Sequence, residues 1–285
     1  RSQSIQTQVQ SNPTSRMKTA VAQRMGGAVE IAQAEIPEPK GHEILVQLKA
    51  SGCCHTDVHA VHGDWPTKAN FPLTPGHEGV GSVVKVGCCV QNFKVGDRVG
   101  IPWLHSTCGE CEFCCTGWET LCPQAESTGY SVPGCMSQYA TAVATHAVRI
   151  PAELSCEEAA PILCAGLTSY KAIKETNTRA GQWIAIVGAG GGLGHLAIQY
   201  AVAMGLRVAA LDMAEKLPLC VEMGAELALP VGCATTEDAT LCQRVCEATG
   251  GGAHGVLCVA THPSAFRDSI RMCRTRGTVV FVGMP

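Results

Sequence analysis

Short apolar runs broken by Gly and Pro fill the first half of the chain, whereas fully apolar runs alternating with helix-patterned segments fill the second. In the first half the β-type runs fall at 44–48, 79–86 and 98–101, which predicts a β-rich, loop-rich domain. From residue 182 onward, runs at 183–187, 207–211, 227–231, 255–259 and 278–282 alternate with helical stretches such as 195–204. Strands apolar on both faces and separated by helices are the sequence form of a parallel sheet covered on both sides. The pattern therefore predicts an α/β chain of two domains, 17–164 and 165–285, connected through a helical segment at 162–174. Five strands are visible where a dinucleotide-binding sheet usually has six, so the second domain is expected to be incomplete at its C-terminal end. An edge left unpaired there is expected to lower stability. Residues 1–16 contain Ser, Gln and two Arg, no acid and hardly any large apolar residue, and are expected to form a disordered tail.

Bulk properties narrow the partners. At 285 residues and 46% hydrophobic content the chain can bury two cores. The net charge of −3 comes without a basic run, so neither nucleic acid nor an anionic membrane is expected to bind. No apolar run reaches the roughly 18 residues of a membrane span. Eighteen cysteines in a chain of this size, without a signal-peptide pattern, point to a reducing compartment. The cytoplasm is expected, with the mitochondrial matrix as the alternative suggested by the acid-free leader.

Four cysteines form the run Cys108-x2-Cys111-x2-Cys114-x7-Cys122. That spacing lets one loop close a thiolate cage, and zinc fits it better than an iron–sulfur cluster does. Four thiolates leave no open position, so this site is read as structural. Cys115, beside Cys114, is a competing ligand.

The run at 183–187 leads directly into Gly188, Gly190, Gly191, Gly192, Leu193 and Gly194, then into the helical stretch. Strand, glycine turn and helix in that order bring backbone N–H groups to a pyrophosphate. The sixth position counted from Gly188 is Leu193, so the loop is expected to carry one extra residue relative to G-x-G-x-x-G. Asp212 ends the next strand, where a carboxylate accepts from the adenosine ribose hydroxyls and repels a 2′-phosphate. NAD is the implied cofactor.

Three more zinc-competent groups are scattered: Cys54 within Gly52-Cys-Cys-His-Thr-Asp57, His77 within Gly76-His-Glu-Gly79, and Cys164 within Pro161-Ile-Leu-Cys-Ala-Gly166. Together with His59-Ala-Val-His-Gly-Asp-Trp65 and Gly251-Gly-Ala-His-Gly255, these segments resemble the zinc-dependent medium-chain alcohol dehydrogenases, the yeast and fungal branch in particular. The resemblance runs from Met17 to Pro285. It implies a GroES-like catalytic domain and a Rossmann-type cofactor domain. Two zinc ions per chain follow from it, the catalytic one held by Cys54, His77 and Cys164; alcohol dehydrogenase is itself a standard example of such a Cys2His site. It further implies that Thr56 and His59 relay the proton, with His62 as the competing choice. By the same resemblance Asp57 would orient His77, and Glu78 would approach the metal. His55 matches a position that contacts the cofactor pyrophosphate, and Lys216 one near the adenosine ribose. Trp65, Trp103 and Met284 match pocket-wall positions, and two indoles favour short primary alcohols such as ethanol. Dimers or tetramers are expected of full-length members. The alternatives are a dehydrogenase for larger, cinnamyl-type alcohols, or a truncated form that keeps its zinc lobe without turnover.

Overall fold

The chain divides after Cys164 into two units, each with its own cores. The computed structural model describes residues 16–232 and 240–283. The expected tail lies outside the described residues except for Arg16, which opens the strand Arg16–Ala22 instead. That strand pairs antiparallel with Val29–Glu35.

In the first unit a five-stranded antiparallel sheet runs in the order Tyr139–Val143, Glu43–Ser51, Gly79–Val86, Arg98–Ile101, Val148–Arg149. Ile44, Val46, Val83, Val99, Ile101 and Ala142 form its core. Ser51 pairs with Gly79. The residues that leave the first strand, Gly52 to Cys54, and those that enter the second, His77 and Glu78, therefore lie at the same end of one strand pair. The helix Cys156–Pro161, started by a reciprocal cap between Ser155 and Glu158, packs Ala159 and Ala160 against Val80. It runs into a π-helical turn, Ile162–Gly166, that carries Cys164. Such turns interrupt regular helices frequently at functional positions.

In the second unit five parallel strands run in the order Leu227–Pro230, Arg207–Asp212, Trp183–Val187, Ala253–Cys258, Cys273–Phe281. Each expected strand is present. The first of them in sequence buries Ile184 and Ile186 in one core and Trp183, Ala185 and Val187 in the other, as a strand covered on both faces requires. The direction in which successive strands are added reverses between Trp183–Val187 and Ala253–Cys258, the switch point where open parallel sheets leave a crevice. No helix among the described residues is long and apolar enough to cross a membrane.

Candidate functional site

Two groups of potential ligands converge in the first unit, and they are built differently. The local one lies beyond the strand Leu104–Ser106. Its sulphurs make contacts of 3.9 Å (Cys108 to Cys114), 3.5 Å (Cys111 to Cys114) and 3.6 Å (Cys122 to Cys108). A tetrahedron with zinc–sulphur bonds of about 2.3 Å has edges of about 3.8 Å, so the cage has the right size for zinc. Backbone N–H groups point at it: Cys111 donates to the Cys108 sulphur at 3.3 Å and Gln124 to that of Cys122 at 3.4 Å. Amides at positions 110 and 111 pull the Cys108 thiol down to about 7. Cys115 is exposed and its thiol faces the Glu110 carbonyl at 3.5 Å, outside the convergent set.

The second group joins Cys54, His77, Glu78 and Cys164. Cys54 sits at the N-cap of the helix His55–His62. Its sulphur lies 3.9 Å from that of Cys164, and His77 Nε2 lies 3.3 Å from Cys164 Sγ. A tetrahedral zinc site needs about 3.8 Å between sulphurs and about 3.6 Å between sulphur and nitrogen, so two thiols and an imidazole fit the ion here as well. Buried Asp57 assembles this end of the strand pair, because one carboxylate accepts from the Cys54 amide at 2.9 Å, the Gly76 amide at 3.0 Å and His77 Nδ1 at 3.0 Å. With Nδ1 held as the donor, Nε2 is the nitrogen left facing the sulphurs, where a metal ion would take the place of its proton.

Electrostatics at this group suit a dication. The hydrogen bond from Cys164 pulls the Cys54 thiol down to about 3 against the effect of burial, with His77 and Thr56 assisting. Cys54, together with burial, pushes Cys164 far up. Burial disfavours the charged form of His77, but the Asp57 carboxylate and Cys54 outweigh it and raise the imidazole to about 9. Burial raises Glu78, against the pull of His77, whose Nε2 is 3.9 Å from its carboxylate. Sequence reasoning gave Gly52 no role of its own. A Cβ there would stand 1.7 Å from Glu78 Oε2, so only glycine leaves the carboxylate its place.

Aromatic rings adjoin this group. Trp103 meets His77 edge-on at 5.3 Å, and Tyr130 packs on Trp65 at 5.5 Å and on Trp103 at 5.6 Å. Trp65, Trp103 and Tyr130 pack with Ala60, Val61 and Leu73, and with Ser127 and Ser131 they also line a cavity of about 390 Å³. The indoles therefore serve both as core and as wall. His59 contacts His55 at 4.7 Å and Trp65 at 5.6 Å.

In the second unit a cleft of about 1320 Å³ opens at the carboxyl ends of the strands, lined by Gly188, Gly191, Asp212, Lys216, Val259 and Ala260 among others. Gly188 has φ 87°, which an L side chain rarely adopts. A Cβ at Gly190 would stand 2.6 Å from Lys216 Cβ, and one at Gly194 2.2 Å from the Gly188 carbonyl oxygen. Gly192 faces open space. The glycines that sterics demand are thus Gly188, Gly190 and Gly194, with the extra residue between the last two. The helix begins at Gly192, three residues ahead of the stretch marked by its apolar pattern. Asp212 accepts from the Gly190 and Met213 amides at 2.7 Å each and lies 3.7 Å from Lys216 Nζ, so it fixes the turn as well as facing the cleft. Met284 lies outside the described residues.

Residues 40–152 match the alcohol dehydrogenase GroES-like domain, and residues 192–285 match the zinc-binding dehydrogenase domain. The chain belongs to the zinc-binding alcohol dehydrogenase family, and it is an oxidoreductase of that class. It is 48% identical to an alcohol dehydrogenase of Geobacillus stearothermophilus over 94% of this chain and 78% of that one. An alcohol dehydrogenase of Schizosaccharomyces pombe is 47% identical over 93% and 76%. The crystal structure of an NAD-dependent alcohol dehydrogenase superposes with a TM-score of 0.85 at 30% identity, covering 94% of this chain and 77% of that one.

Proposed function

We propose that the chain oxidises small primary alcohols of the ethanol type to aldehydes with NAD, and catalyses the reverse reaction, using one catalytic and one structural zinc. The observation that carries this reading is the contact between Trp103 and His77, which brings the indole wall up to the Cys54, His77 and Cys164 donor set. Bound to those three donors, zinc supplies Lewis-acid polarisation of the substrate oxygen. Asp57 holds His77 in the tautomer that ligation needs. Glu78, buried beside Nε2, is a carboxylate within reach of the same position. Thr56 accepts the hydroxyl proton and His59 passes it to solvent. Trp65 and Trp103 narrow the approach, which favours short chains over cinnamyl-type alcohols. The amides of the turn around Gly188 to Gly194 bind the pyrophosphate, and Asp212, with Lys216 beside it, accepts from the ribose hydroxyls and disfavours a 2′-phosphate. Free thiols throughout the described residues support a reducing compartment such as the cytoplasm.

The test is formation of NADH from ethanol by the zinc-loaded protein, with cinnamyl alcohol and NADP run in parallel and a chelated control. Chelator-sensitive turnover that prefers ethanol and NAD is expected. Equal or better rates with cinnamyl alcohol would overturn the substrate assignment, and preference for NADP would overturn the role of Asp212.

A further inference from the structure

The helix His55–His62 ends on Gly63, whose left-handed conformation (φ 72°) turns the chain back over the last turn. The Gly63 and Asp64 amides both donate to the His59 carbonyl, at 2.8 and 3.2 Å. Asp64 is thereby returned to the residue it has just left, and its Oδ2 lies 2.7 Å from His59 Nδ1. Gly63 cannot readily be replaced, since a Cβ there would also stand 2.6 Å from the Met25 sulphur. Backbone and side chain of one histidine are thus gripped by one tight turn, while His55 and Trp65 flank its ring.

An ionised carboxylate only accepts hydrogen bonds, so Nδ1 must be the protonated nitrogen and Nε2 the basic one. We infer that Asp64 is a positioning residue for proton transfer: it fixes the His59 tautomer and ring orientation, so that Nε2 is the atom that takes up the proton leaving the alcohol. In the step itself Nε2 gains the proton, Nδ1 keeps its own, and Asp64 stays ionised beside the imidazolium. The positive charge also falls in the last turn of the helix, where the dipole favours a cation. Other titratable groups beside the turn among the described residues include His55, His62 and Lys68, the last donating to the Gly63 and Trp65 carbonyls at 2.7 and 2.6 Å. Both partners are partly exposed, at 35% for His59 and 48% for Asp64. An exposed pair of this kind adds little to stability, so a structural role and a role in proton transfer separate cleanly.

This inference rests on His59 as the exit of the relay, and the experiment tests the two separately. Nitrogen-15 spectra of histidine-labelled, zinc-loaded protein report the His59 tautomer without turnover. Single-turnover rates of ethanol oxidation with NAD report the transfer. Asp64→Ala is expected to replace the Nδ1–H form with a tautomer mixture and to slow the single turnover about fivefold, with the KM for ethanol and the Tm nearly unchanged. Asp64→Glu is expected to restore most of both signals. An unaltered tautomer in Asp64→Ala, or an unaltered single-turnover rate beside a slowed His59→Gln, would overturn the role of Asp64. Full-speed turnover in His59→Gln would instead overturn the relay on which it rests.

Discussion

The two thiol-containing clusters of the first unit use the same sulphur chemistry, yet one gathers four sulphurs and the other gathers two sulphurs, an imidazole and a carboxylate. Cys108, Cys111, Cys114 and Cys122 come from a single loop, and four sulphurs complete a tetrahedron. Cys54 and Cys164 are 110 residues apart and share their site with one imidazole, a buried carboxylate and an indole edge. A closed cage needs only spacing. A site drawn from distant segments needs a framework, here the Ser51 to Gly79 pairing, the Asp57 carboxylate and the π-helical turn at Cys164. Stability and chemistry should therefore fail separately when each cluster is broken.

Cys164→Ala is the largest break. It is expected to abolish turnover and to remove one of the two zinc ions proposed above, measured by elemental analysis, while thermal unfolding moves by only about a few degrees. Undiminished zinc content would remove Cys164 from the ligand set. Cys111→Ser should do the reverse in kind, lowering the Tm by ~10 °C through loss of the loop metal, because binding energy at a closed zinc site is largely folding energy. If its rate fell while its Tm held, the loop would not be structural.

Asp57→Asn acts one step further from the metal. Its carboxylate holds an imidazole and two amides in place, so zinc at the Cys54 and Cys164 site is expected to bind about 10–100-fold more weakly, with the loop metal retained. Chelator titration followed by metal analysis distinguishes the two ions. Equal loss from both sites would mean that Asp57 supports the domain as a whole and not His77 in particular.

The same contrast explains what the sequence discloses. The loop cage and the parallel sheet are written locally, in the spacing of Cys108 to Cys122 and in apolar runs such as Trp183–Val187, and both occur where spacing and periodicity place them. The convergence of Cys54, His77 and Cys164 is legible only through resemblance, because no local pattern encodes a strand pairing that brings distant segments together. Gly52 and Asp64 escaped that reading. Gly52 matters because of a carboxylate 26 positions away, and Asp64 because a left-handed glycine returns it to a ring five residues earlier. The position of the extra residue in the cofactor turn was likewise hidden until Lys216 and the Gly188 carbonyl showed which glycines are crowded.

The smallest expected effect comes from Cys115. Five cysteines crowd the loop segment, and by sequence alone Cys115 rivals its neighbour Cys114 for the metal. In the fold, the short helix Glu112–Cys115 sets consecutive side chains about 100° apart, so only one of the pair faces the cage. Cys114 lies within 3.5 Å of the Cys111 sulphur, while Cys115 turns out to the Glu110 carbonyl. Cys115→Ser should therefore leave both zinc ions bound and change stability by less than about 0.5 kcal/mol, as surface substitutions do. Loss of the loop zinc from that variant, with Cys114→Ser retaining it, would exchange the two ligands and show that the helical turn is wound differently once the metal is bound.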